Sequence, residues 1–302
     1  MKNKIIILVF ILIHINLNSQ TTEDYIKAGQ ENYDTGNFNE AINNYTWAIE
    51  IDSLNIECYY LRGLANFEFE NFDNSILDLN KVLELEEDYL EAYSPRGFMY
   101  MKLGKYDKAI KDFTKLIEEN FEQSLAYYYR GLSKMKREDY KGSIGDFSEV
   151  IESDSTDYEA YFNRGLAKYS LEEYDKAIED FTKTIELNPE YIEAYFNRGL
   201  AVEFKNYEGA VDDFTKVIEL TSGYAEAYFN RGLVNYNLDE YGKAIKDFTK
   251  AIGVNAKDDK SYYYRGLSKL VLEDKNGACQ DFKKAMELGN LDVLRILIED
   301  CD

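Results

Sequence analysis

Gly29, Gly63, Gly97, Gly131, Gly165, Gly199, Gly232 and Gly266 stand 34 residues apart, with a single interval of 33, and the string AYFNRGL recurs unchanged at 160–166, 194–200 and 227–233. A fixed period of this length constrains the fold more than any other feature of the chain. One such unit cannot bury its apolar face alone, so it must stack on its neighbours in a repeat array. Eight units run from about Thr22 to about Asn290.

Each unit is numbered 1 to 34 with the marker glycine at position 8. Position 4 is then Tyr in all eight units, and position 9 is usually Leu with an apolar residue following at 12 in most. That spacing is one face of a helix, helix A. Position 17 is aromatic in seven units, 20 is Ala or Ser in all eight, 21 is mostly Ile, 24 mostly Phe, and 28 is Ile, Leu or Met. These steps describe a second amphipathic helix, helix B. The small residues at 8 and 20 predict that the two helices cross at close range. Asn or Asp at position 18 (Asn39, Asp73, Asp107, Asp175, Asn276) predicts a cap for helix B, and Asn188 with Pro189 predicts a stop followed by a first-turn proline. The 33-residue unit lacks one residue near the end of helix A, which predicts a kink or shortened turn there. Pro95 lies close enough to the start of the third helix A that little disruption is expected.

These glycines, with Ala41, Ser75, Ala109, Ser143, Ala177, Ala210, Ala244 and Ala278 at position 20, the Phe and Tyr near position 24, and LNP at 187–189, resemble the tetratricopeptide repeat family, in its exported bacterial type. The resemblance implies an all-α fold: a right-handed α-solenoid of eight helix-turn-helix repeats over 20–290, closed by a capping helix over 291–302. The chain departs from the family pattern where Tyr replaces Trp at 4, where proline at 32 survives only as Pro189, and where Arg stands just before the marker glycine.

That arginine carries an internal control. Position 7 is Arg in seven units (Arg62, Arg96, Arg130, Arg164, Arg198, Arg231, Arg265), and position 23 is Asp in the same seven (Asp78, Asp112, Asp146, Asp180, Asp213, Asp247, Asp281). The first unit has neither, with Ala28 and Asn44. Pairing between adjacent units would leave Asp281 without a partner, whereas pairing within a unit leaves no member out. Structural salt bridges such as Arg164 with Asp180, Arg198 with Asp213 and Arg231 with Asp247 are therefore expected. The alternative is a row of groove arginines for anionic ligands, although a partly buried charge needs a partner.

The sequence offers little chemistry. His14 is the single histidine and lies in the first twenty residues, no phosphate-cradling glycine loop is present, and ESDSTDYE at 152–159 lacks the spacing of a calcium loop. No enzyme, no metal site and no cofactor is expected. With 57 acidic against 35 basic side chains, nucleic acid is disfavoured as a partner.

Family resemblance implies an inner wall made mostly of helix A, along which peptide segments lie. By position, Phe162, Phe196 and Phe229 at 5 offer aromatic faces, and Asn163, Asn197 and Asn230 at 6 form an amide ladder that can satisfy a peptide backbone. The competing reading packs position 5 between units and leaves position 6 solvated. Glu at position 2 (Glu159, Glu193, Glu226) favours a basic or neutral partner. The expected function is thus non-catalytic protein or peptide binding by a scaffold. A structural spacer that self-associates by stacking end to end is the alternative.

Residues 1–19 read as a secretory signal peptide, with Lys2 and Lys4 ahead of an apolar run from Ile5 to Ile13, or else as an uncleaved anchor. No later segment reads as a membrane span. The localisation expected is exported: periplasmic, cell-envelope or secreted. Oxidising conditions would allow Cys279 and Cys301 to form a disulfide that staples the C-terminal cap, with Cys58 left as a packed thiol.

Overall fold

A computed structural model describes residues 20–203, 206–294, 296 and 301. Among these are sixteen α-helices and no strand. The signal segment lies outside the described residues, as do 295, 297–300 and 302 of the expected capping helix, whose beginning is the 3-10 turn Leu291–Val293.

The described residues divide into two compact bodies, one ending at Asp139 and the other starting at Tyr140. The first holds repeat one (Thr22–Asp34, Phe38–Ile51), repeat two (Ile56–Glu68, Phe72–Leu85), repeat three (Tyr93–Lys102, Tyr106–Glu118) and helix A of repeat four, Gln123–Lys136. The second holds helix B of repeat four (Tyr140–Ser153) and repeats five (Tyr158–Ser170, Tyr174–Leu187), six (Ile192–Glu203, Tyr207–Leu220), seven (Ala225–Asn237, Tyr241–Val254) and eight (Asp259–Val271, Lys275–Glu287). Within each body every helix packs on the helices before and after it in sequence.

Helix A ends the same way in seven repeats. Position 15 adopts a left-handed backbone at Gly36, Glu70, Gly104, Glu138, Glu172, Asp239 and Glu273. The amide of position 16 then reaches back to the carbonyl of position 11, as from Glu173 to Lys168 at 3.0 Å and from Glu240 to Asn235 at 2.8 Å. This closure satisfies carbonyls that a helix end leaves orphaned. Helix B starts directly afterwards at position 17, so the residues at 18 are not caps. Asp73, Asp107 and Asp175 lie in the first turn, where a carboxylate favours the positive end of the helix dipole. In the 33-residue repeat, Asn206 is extended at φ −149 and caps helix B by accepting from the amide of Gly209.

Of the two prolines, Pro189 acts differently from expectation. Pro189 precedes helix Ile192–Glu203 and sits in the linking turn, where the Asn188 side chain accepts from the Glu190 amide and the Tyr195 hydroxyl donates to the Pro189 carbonyl. Pro95 has no amide to donate to Glu91. The third helix A accordingly begins as the 3-10 turn Leu90–Ala92, and its α-helix starts only at Tyr93.

Position 8 is glycine because of the ring at position 24. A Cβ on Gly165 would lie 2.7 Å from Phe181 Cε1, and one on Gly232 2.8 Å from Phe248 Cε1. Phe113, Phe181, Phe214, Phe248 and Phe282 are fully buried in this way, with alanine at position 20 beside them. Repeat one has Tyr45 instead, fully buried, with a hydroxyl that has no hydrogen-bond partner among the described residues. Burial drives that phenol well above its ordinary pKa range. Tyr45→Phe is expected to raise stability by ~1–3 kcal/mol, the usual penalty of an unsatisfied buried polar group, visible as a higher denaturation midpoint.

Candidate functional site

The arginine of helix A is held on three sides. In repeats two, three, five, six, seven and eight, Nε and Nη2 donate to the two carboxylate oxygens of the aspartate on the same repeat's helix B. Arg164 reaches Asp180 at 3.0 and 2.8 Å, Arg198 reaches Asp213 at 2.9 and 2.7 Å, and Arg231 reaches Asp247 at 3.0 and 2.7 Å. The third nitrogen, Nη1, donates backward to position 25 of the preceding helix B. Its acceptors include Thr46, Asn80, Thr114, Ser148, Thr182, Thr215 and Thr249. Each guanidinium also lies over the tyrosine of position 4, with Arg164 5.4 Å from the Tyr161 ring centre and Arg231 5.9 Å from that of Tyr228. Tyr in place of Trp therefore roofs a cation.

The aspartates are nearly inaccessible, at 4% side-chain exposure for Asp180 and 7% for Asp213 and Asp247. Position 11 often supplies another donor: Lys168 to Asp180, Lys269 to Asp281, Asn66 to Asp78 and Asn235 to Asp247. Repeat six has Val202 there. Burial raises the carboxyl of Asp213 above its ordinary range, against the opposing hydrogen bond and charge of Arg198. The guanidinium of Arg198 is in turn pushed up by its hydrogen bond to Asp213, against burial.

Position 25 was not read as part of this arrangement. Its sequence signal lies at the array's end: it is Thr, Ser or Asn in the seven repeats followed by an Arg-bearing repeat, and Lys283 in the last. Ala28 at position 7 of the first repeat is the matching exception, since no helix B precedes it among the repeats.

The aromatic residues at position 5 pack inward. Phe162 is 8% exposed and contacts Phe181 and Tyr191, with ring centres 5.8 and 5.0 Å apart. Phe196 lies against Phe214 and Tyr224, and Phe229 against Phe248 and Tyr264. These rings join helix A to helix B and to the segment or helix that follows. Asn163, Asn197 and Asn230 are half-buried, and each donates to the carbonyl four residues earlier, on Glu159, Glu193 and Glu226, at 2.8 Å. That bond holds each amide beside the glutamate of position 2 on the helix A face. A pocket of about 420 Å³ opens there at repeats seven and eight, lined by Phe229, Leu233, Tyr263 and Tyr264 with Asp259 and Lys260.

Among the described residues, no group of three or more His, Cys, Asp or Glu side chains could hold a metal, and no helix is long and apolar enough to cross a membrane. Cys58 is free and buried, and burial raises its thiol pKa to about 11. Cys279 and Cys301 are bonded, with α-carbons 5.6 Å apart, beside the buried cluster of Ala278, Phe282, Ala285 and Val293. Reduction is expected to lower the unfolding free energy of this end by about 3 kcal/mol, the usual value for a loop of this size, seen as a denaturation midpoint shifted down by reductant.

Consecutive antiparallel helix pairs, tied by a side chain that bonds both its own repeat and the one before, define an α-solenoid repeat protein. The chain belongs to the tetratricopeptide repeat family: profiles described as tetratricopeptide repeat match 158–191 and 225–258, and 56–89 and 90–123, while one described as TPR repeat matches 29–69. The C-terminal part of a TPR repeat-containing protein from Cytophaga hutchinsonii is similar at TM-score 0.69 and 23% identity, over 78% of this chain and 98% of that one. MamA is similar at TM-score 0.54 and 28% identity, over 55% of this chain and 92% of its own. YrrB, described as a TPR protein with an unusual peptide-binding site, is similar at TM-score 0.55 and 24% identity, over 61% and 95%. No curated protein matches the chain.

Proposed function

We propose that this chain is a non-catalytic scaffold that binds a protein or peptide segment along the helix A face of repeats five to eight. The observation that carries the reading is the open, aromatic-lined pocket of that face at Phe229, Leu233, Tyr263 and Tyr264. Phe162, Phe196 and Phe229 serve it chiefly from below, as packing that fixes the wall. Asn197 and Asn230, with Asn163 at the equivalent position, serve it at the surface, where the amide of Asn197 or Asn230, held by one N–H, still has a second N–H and a carbonyl oxygen to offer a peptide backbone. Glu159, Glu193 and Glu226, all solvent-accessible, favour a basic or neutral segment. The peptide-binding site described for YrrB shows a use to which this fold is put.

End-to-end stacking is the weaker reading, because the outward ends of the terminal repeats lack the contact that joins interior ones. Lys283 would meet Ala28 across such a junction. Export is part of the proposal and is supported by the leader-like residues 1–19 and by the disulfide. The mature chain should then be found in an envelope or secreted fraction with a mass lacking those residues.

The test places a photo-crosslinking side chain at Asn230, on the helix A face, or at Glu179, exposed on helix B of repeat five. Label transfer to a partner from Asn230 but not from Glu179 is the expected result. Transfer from Glu179 alone, or from neither in an extract containing all native envelope proteins, overturns the reading.

A further inference from the structure

Helix B of repeat seven, Tyr241–Val254, differs from the other helices B in its charges. Elsewhere the lysine at position 26 is neutralised by a glutamate three or four residues on: Lys81 by Glu84, Lys115 by Glu119, Lys183 by Glu186, Lys216 by Glu219 and Lys284 by Glu287. In repeat seven that glutamate is replaced by Gly253. Position 18, acidic at Asp107, Asp175 and Glu208, is Gly242. Neither glycine is required by packing, since a Cβ on either would meet nothing within 4 Å, and neither has a positive φ. Each is a poorer helix former than alanine. What the two glycines accomplish is the removal of carboxylates.

The result is a cationic pocket in a chain of net charge −22. Lys243, Lys246 and Lys250 are exposed and border a cavity of about 470 Å³ between the B helices of repeats six and seven. Val211 and Ile218 supply an apolar wall, and Asp247 is already engaged by Arg231 and Asn235. Lys243 has Glu240 at 3.3 Å, while among the described residues no ion pair engages Lys246 or Lys250. The corresponding cavity of repeats one and two, about 360 Å³, is bordered instead by Asn39, Asn74 and Leu77. The cavity therefore belongs to the architecture, and its charge to the lysines of repeat seven. Repeat three has the same three lysines, but Lys108 lies over Tyr100 and Lys115 is taken by Glu119 and Asp88.

We infer that this cavity binds an acidic peptide segment, on the face opposite in charge preference to the helix A groove and independent of it. The three lysines span ~10 Å along the helix at 1.5 Å per residue. Carboxylates on one side of an extended chain recur every ~7 Å, within reach of flexible ammonium groups that attract charge without imposing bidentate geometry. Alternate aliphatic residues of the same segment meet Val211 and Ile218. Long-range repulsion from the rest of the chain restricts such a segment to this one field-focusing site.

The probe is a fluorescein-labelled peptide, Glu-Val-Glu-Val-Glu, followed by anisotropy with the full chain at low salt. Saturable binding is expected, weakened at least tenfold by Lys246→Gln with Lys250→Gln and unchanged by Lys108→Gln with Lys111→Gln. Gly253→Glu, which restores the missing carboxylate and raises helix propensity, is expected to weaken binding at least tenfold while thermal stability stays equal or rises. No binding, equal loss in the repeat-three variant, or full binding by a folded Gly253→Glu chain overturns the inference. Tighter competition by inorganic tripolyphosphate than by unlabelled peptide overturns the choice of a peptide.

Discussion

Replacing Asp213 with alanine is expected to lower the unfolding free energy by about 3–5 kcal/mol, the cost of breaking a buried pair and leaving one charge behind. Repeat six is the cleanest place to measure this, because Val202 stands where other repeats add a second donor to the aspartate. Arg198→Ala should cost a similar amount at neutral pH, and the double variant should cost less than the sum by ~2–3 kcal/mol. A coupling near zero would remove the pair from the list of structural contacts. The pH dependence of Arg198→Ala has a definite sign. Burial already raises the Asp213 carboxyl above its usual range, and removing the guanidinium raises it further. The folded variant then holds a proton that the unfolded chain has released, so stability is greatest below the unfolded carboxyl pKa of about 3.9 and falls as pH rises through the folded value. Urea melts at pH 4 and pH 7 read this directly, and a deficit that shrinks toward pH 7 would contradict it.

The second large effect belongs to the ring beneath the glycine. Phe181→Ala should cost about 3–5 kcal/mol, since the ring is fully buried and closes on Gly165. Gly165→Ala should cost about 1–3 kcal/mol by overpacking, as its new Cβ meets Phe181 Cε1 at 2.7 Å. The two faults have one geometric cause, so Gly165→Ala combined with Phe181→Leu should be less damaging than the sum. Repeat two shows why: Leu79 stands in place of the ring, and a Cβ on Gly63 would lie 3.2 Å from it, half an ångström farther than at Gly165. Chemical denaturation of the three variants decides the point, and strict additivity would mean that the glycine answers to something other than the ring.

The period, the two helices of each repeat and the marker glycines were legible because apolar spacing is set by helix geometry and repeated eight times. The aspartate at 23 was legible as the arginine's partner because the first repeat lacks both residues together. The arginine's third bond was not, since Thr182 or Thr215 on an amphipathic helix reads as an ordinary half-exposed residue. Only the pair of terminal exceptions, Ala28 and Lys283, marks it. The direction of Phe162, Phe196 and Phe229 was also ambiguous: two of their partners, Tyr191 and Tyr224, lie in linking segments that no helical periodicity places. Left-handed turn residues such as Glu172 and Glu273 carry no local signal either, because glutamate gains nothing there and is tolerated only because the backbone closure around it is strong.

The backward bond from arginine to position 25 also bears on how such a chain can change length. An interior repeat carries both halves of the junction, Arg at its front and a hydroxyl or amide at its back, as Arg198 with Thr215 and Arg231 with Thr249 illustrate. A gene duplication that copies one interior repeat next to itself within either body therefore creates a new junction that is complete on arrival. Copying the first or last repeat inward would bring Ala28 or Lys283 into a junction and leave it broken. Lengthening of this chain by recombination should succeed from the middle and fail from the ends.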